Sequence, residues 1–170
     1  MSERPRHVGR IVIVVGFLVI AGMWIYVLFI GNPENVDKLS DPAFASTAEP
    51  VCKQSVDRLS AIGVVNQKAD TPQARADLVD NADAELKTMV GRLRTITISN
   101  ANDAKAITSW LADWYQWLTD RANWAAKLHQ GQDTAFVEKQ RESTHEPNSK
   151  ALNDFALVNS MRSCATPGGV

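Results

Sequence analysis

Between residues 71 and 129 apolar side chains return every three or four positions, the period of a helix face packed on one side. The clearest stretch places Ile107, Trp110, Leu111, Trp114, Trp117, Leu118, Trp124, Ala125 and Leu128 on one stripe, predicting a long helix with four tryptophans on its apolar face. Before it, Leu78, Val79, Ala82, Leu86, Met89, Val90 and Leu93 share another stripe. That helix is predicted to start at Thr71-Pro72, where the hydroxyl accepts from a first-turn amide and the proline gives up only a hydrogen without an intrahelical partner. Gly91 weakens its last turns slightly. Asp77, Asp80 and Asp83, at steps of three beside Arg75 and Lys87, read as its solvated face.

Two shorter helices are predicted at the flanks. Ser46-Thr47-Ala48-Glu49 fits a capping box, with Pro50 in the first turn and Val51, Val56, Leu59 and Ile62 recurring until Gly63. Ser143-Thr144-His145-Glu146 offers a second box before Leu152, Phe155, Ala156 and Val158, with an end at Thr166-Pro167-Gly168-Gly169. The echo between STAEP at 46 and STHEP at 143 reads as shared cap chemistry. Residues 130–147, polar and containing Gly131 and Pro147, are expected to form a long connection with a short extended piece around Phe136-Val137.

The helical rhythm is absent from residues 11–30, twenty residues without a charge. At about 1.5 Å per residue such a run covers a hydrocarbon core of roughly 30 Å, so it reads as one transmembrane helix. Its fourteen Ile, Leu, Val and Phe residues contribute roughly −4 to −8 kcal/mol towards insertion, an upper bound. Arg4, Arg6 and Arg10 precede the run, whereas Lys38 is the first base after it, which orients residues 1–10 to the cytoplasm. The run exceeds a typical signal-peptide core and the nearest A-x-A triplet is distant at Ala43-Phe44-Ala45, so an uncleaved anchor is expected. Residues 31–45, with Pro33, read as a linker, and residues 46–170 as an extracytoplasmic, antiparallel, all-α bundle of about four helices.

In such a bundle the end of the fourth helix returns to the end where the first begins, bringing together Cys52 and Cys164, the only two cysteines. An oxidising compartment would let them pair. Two free thiols or a metal pair are the alternatives, weakened because the spacing matches no zinc pattern and the domain holds only His129 and His145.

Eighteen basic against nineteen acidic residues leave no field for nucleic acid. No nucleotide, metal or catalytic signature stands out, so neither a cofactor nor an enzymatic activity is expected. Asp113 and Asp120 flank Trp117 at a spacing of seven, and paired carboxylates on one face can do acid-base work or hold a cation. The simpler reading pairs them with Arg92 or Arg121 at the edge of the stripe. Likewise Trp110, Trp114, Trp117 and Trp124 either fill a core or line a cavity, and with Asp113 and Asp120 they form the candidate ligand or partner face.

Glu49-Pro50-Val51-Cys52, Asp80-Asn81-Ala82, Trp110-Leu111-Ala112-Asp113-Trp114 with Asp120-Arg121, and Val158-Asn159 leading to Cys164-Ala165-Thr166-Pro167-Gly168 are motifs through which the chain resembles small actinobacterial single-pass envelope proteins, a family of unknown function. That resemblance implies a location and an architecture, with no substrate attached. Two functions follow as expectations. The first is a noncatalytic interaction protein, held in the lipid bilayer by residues 11–30 and contacting another envelope protein through a helix face or residues 130–147. The second is a small-molecule or lipid-binding domain built on the tryptophan row.

Overall fold

The computed structural model describes residues 15–16, 19–23, 38–61, 69–141 and 144–167. The chain divides into two units, Met1–Val36 and Asp37–Val170. Most of the expected membrane span lies outside the described residues, as do the cytoplasmic tail and residues 31–37; positions 15–16 and 19–23 are helical. Among the described residues no helix is long and apolar enough to cross a membrane.

The second unit is all-α. Its helices are α1 (Ala43–Ala61), α2 (Pro72–Leu93), α3 (Ala101–His129) and α4 (Asn148–Val158), followed by a 3-10 turn at Arg162–Cys164. The four pack as a bundle around one apolar core that draws on each of them. Side-chain pairs show the directions of the first three. Gln54 meets Arg92 while Arg58 meets Glu85, so α1 and α2 run antiparallel. Asp83 meets Arg121 while Asp80 meets His129, so α2 and α3 do too.

α1 starts a turn earlier than the capping box implies. Asp41 Oδ1 accepts from the Ala43 backbone N–H at 2.8 Å, and Pro42 fills a position that needs no donor. The supposed cap residues serve elsewhere: Ser46 Oγ donates to the Ala43 carbonyl, and the Glu49 carboxylate accepts from the Ser163 N–H at 3.0 Å and its hydroxyl at 2.6 Å. Pro50 therefore lies inside the helix, and Ser46, whose carbonyl loses its partner, is exposed to hydration. The buried face is Phe44, Ala48, Cys52, Ser55 and Leu59, while Val51 is half-buried and Val56 is 42 % exposed. The expected linker shortens accordingly, because residues 38–45 already belong to the bundle. Leu39 is buried with its N–H on Asn159 Oδ1 at 2.8 Å, and the Ser40 and Asp41 N–H groups donate to the two Asp103 oxygens at 3.0 and 2.9 Å.

α2 begins as predicted, with Thr71 Oγ1 accepting from the Ala74 N–H at 3.2 Å ahead of Pro72. Its acidic face differs from expectation. Asp83 is 2 % exposed, with Oδ1 taking the Arg121 Nε–H at 2.6 Å, and burial pushes its carboxyl above the ordinary range against the pull of Arg121. α3 begins at Asn100, whose side chain accepts from the Asn102 and Asp103 amides.

α4 starts at Asn148 without a side-chain bond from its own N-cap, Pro147, so the second capping box also fails. Where a local cap would stand, Glu138 from the preceding connection accepts from the Ser149 N–H and hydroxyl at 2.8 and 2.6 Å. STAEP is helical, whereas the described part of STHEP, residues 144–147, holds a turn with His145 at φ 56°, so the two do not share a helix start. α4 stops at Val158, short of the expected Thr166-Pro167. Ser160, at φ 60°, lets the Met161 N–H reach the Ala156 carbonyl at 2.7 Å and the Ser160 N–H reach Leu157 at 3.1 Å, the paired bonds of a Schellman end. That reversal carries the chain to Cys164, which is disulfide-bonded to Cys52 on α1 as expected, both fully buried.

Candidate functional site

Trp110, Trp114 and Trp117 of α3 are at most 4 % exposed and stack along the core. Trp110 lies 5.0 Å from Phe155 in a stacked pair and meets Phe44 edge-on, while Trp114 and Trp117 meet edge-on at 5.5 Å. Trp110 donates its Nε1–H to the Leu152 carbonyl at 3.2 Å. Trp110 borders a gap of about 10 Å³, too small for a ligand. The clefts of 370 to 450 Å³ described on this domain have no tryptophan in their walls. Trp110, Trp114 and Trp117 are packed core, and none of these larger clefts is lined by them.

Trp124 is different. It is half-buried, and its Nε1–H donates to the Thr134 carbonyl at 2.7 Å. With Trp117 it receives Phe136, at ring distances of 6.4 and 5.5 Å. The described residues of 132–147, which hold no helix and only an isolated bridge between Gln140 and Pro147, are thereby laid along α3 as a strap.

The two acids of interest hold the same strap. Asp120 accepts from the Lys139 N–H at 2.8 Å through one oxygen and from Gln116 Nε2 at 2.8 Å through the other. Asp113 pairs with Arg141 at 3.2 Å. The expected partners are engaged elsewhere: Arg121 sits on Asp83 and 4.7 Å above the Trp117 ring, and Arg92 donates to Gln54. Seven residues of helix separate the two carboxylates by about 10 Å along the axis, so they serve two separate ties and share no proton.

Between these ties lies a polar cleft of about 370 Å³, bounded by Asp113 and Gln116 on α3, by Lys139, Gln140 and Arg141 on the strap, and by the buried Asn148. Its amides and paired charges suit recognition of polar groups. Of its residues, sequence pattern pointed to Asp113 alone. Lys139, Arg141 and Asn148 lie in a stretch without periodicity, where the surplus of charge near Pro147 was the one available signal. Among the described residues no group of His, Cys, Asp and Glu could hold a metal ion. His129 is spent on Asp80 at 2.8 Å.

The cystine stands at the opposite end of α4 from this cleft's Asn148. Comparison with known protein families, with curated proteins and with solved structures gave no match.

Proposed function

We propose that this chain is a noncatalytic single-pass envelope protein, anchored by residues 11–30 with its N-terminus cytoplasmic, whose extracytoplasmic bundle engages another envelope protein through the strap. One observation carries the reading: Val137 is 81 % exposed on a segment whose neighbours are fixed, Phe136 by Trp117 and Trp124 and Lys139 by Asp120. Long connections without regular structure are usually either disordered or functional, and loops positioned by a rigid scaffold are the common seat of binding. Here the apolar side chain is held out to solvent and the polar cleft opens beside it.

Three further features support the placement. The arginines lie on the N-terminal side of the uncharged run, and Val15, Val19, Ile20 and Met23 within that run are exposed apolar side chains. A buried cystine fits assembly in an oxidising compartment.

The test is a photocrosslinking side chain at position 137 of the full protein in its native membrane, with Tyr115, 43 % exposed on α3, as the control position. The reading expects one defined protein adduct at 137, absent at 115 and lost when Asp120→Ala and Asp113→Ala release the strap. Equal adducts at both positions, or a reporter after Val170 found in the cytosol, would overturn it.

A further inference from the structure

Residues 162–167 form a wall that the helices alone would not supply. The cystine holds Cys164, Glu49 holds Ser163, and Asn153 Oδ1 takes the Thr166 N–H at 2.8 Å. Between this wall and the α1–α2 pair lies a cleft of about 380 Å³. Its lining shares no residue with the strap.

Its floor is Val56, Leu59, Leu86 and Met89, and Ala165 and Pro167 continue the apolar lining on the wall. Arg162 is the charged residue among those lining it. The acids in the neighbourhood are already engaged: Glu49 accepts from Ser163, and Glu85 accepts from Ser55 at 2.9 Å and from Arg58 Nε at 2.8 Å. The result is a mostly apolar cleft, with hydroxyls of Ser55, Ser60, Ser163 and Thr166 in its lining and Arg162 as the one lining cation. Its volume lies in the range of small-molecule sites, which are mostly apolar with a few polar groups fixing orientation.

We propose that this cleft binds a single saturated alkyl chain ending in a carboxylate, with the chain on the Val56, Leu86 and Met89 floor and the carboxylate on Arg162. The complementarity is of apolar lining and of charge. The Val56, Leu59, Leu86 and Met89 side chains offer an alkyl chain apolar surface, and the guanidinium offers paired N–H donors that match a carboxylate.

The experiment uses the full chain in lipid nanodiscs, a fatty acid carrying a photoactivatable diazirine, and peptide mapping of the adducts. Labelling is expected on peptides containing Val56, Met89 and residues 162–167, and unlabelled acids from hexanoate to decanoate should displace it. Each added methylene should improve displacement about three- to fourfold, the factor equivalent to burying one such group. The matching alcohols should compete at least about tenfold less well, because they forgo the charge-assisted bond. Val56→Glu, at an exposed position, should abolish labelling, and Arg162→Gln should erase the difference between acid and alcohol. Circular dichroism establishes that each variant is folded; should Val56→Glu fail to fold, the chain-length series and Arg162→Gln still decide. Adducts confined to residues 11–30, displacement independent of chain length, or undiminished labelling of a folded Val56→Glu protein would each overturn the proposal.

Discussion

Two irregular regions of this domain are fastened by opposite means. The tail after α4, with the incoming residues 38–42 that it meets, is bound by a cystine, by the buried Asn159 and Asp103, which take Leu39 and Ser40 with Asp41, and by the half-buried Glu49, which takes Ser163. The strap at 132–147 rests on the core through Phe136 alone of its apolar side chains, and its polar ties to α3, from Asp120, Asp113 and Trp124, are exposed or half-buried. In the first region the bonds are covalent, buried or part-buried. Where the chain presents a side chain, its bonds are exchangeable with water, and an element that binds by local adjustment draws on that low local stability.

The largest expected effect breaks the first region. Replacing Cys52 and Cys164 together by serine removes a closed loop spanning a sequence separation of 112. By loop-closure entropy this should cost about 4 to 5 kcal/mol, read as a lower urea midpoint for the bundle.

A smaller effect tests the helical layer that carries the strap. Asp83→Leu leaves Arg121 without its carboxylate and should destabilise by about 3 kcal/mol, whereas Asp83→Leu with Arg121→Met should come close to neutral in the same unfolding measurement.

Acid should separate the two buried aspartates. Backbone N–H groups from Ser40 and Asp41 hold the Asp103 carboxyl below its usual range. Its folded pKa is thus depressed, so its contribution is complete above the unfolded value near 4 and is lost as pH falls through the folded value. Asp83 has the opposite sign: its folded pKa is raised, so stability is lost as pH rises through that value. Asp103→Asn should therefore flatten the acid limb of the pH–stability curve, and Asp83→Asn should steepen it.

The smallest effect on stability belongs to the strap. Asp120→Ala should lower global stability by less than about 1 kcal/mol, since the tie is partly exposed. It should nonetheless make the strap the first site of limited proteolysis, whereas the tail stays resistant.

Much of the bundle was legible in the chain because its signals are local. The α3 stripe, the Thr71-Pro72 start and the two lone cysteines each reduce to spacing or to a single capping bond. The Asp41-Pro42 start of α1 has the same form as Thr71-Pro72 and was there to be read. What escaped is tertiary. Glu49 and Glu146 look like cap residues, but Glu49 finds Ser163 more than a hundred positions away, and Glu146 pairs with Lys150. Asp83 keeps the rhythm of a wet face and is nonetheless covered, because Arg121 arrives on α3 to meet it. Ser160 takes the left-handed position where glycine is the usual marker. For the site, Asp113 and Asp120 were found by their place beside the tryptophan stripe, but their partners on the strap carry no periodic pattern and were not.

Hydrogen exchange on the full protein, resolved to single amides, tests the contrast between the two regions most directly. Met161, Ser163, Cys164 and Thr166 are expected to exchange only through unfolding of the whole bundle, while Thr134 and Lys139 exchange by local opening at least about tenfold faster. Equal protection of the strap and the tail, or a tail that exchanges first, would contradict it.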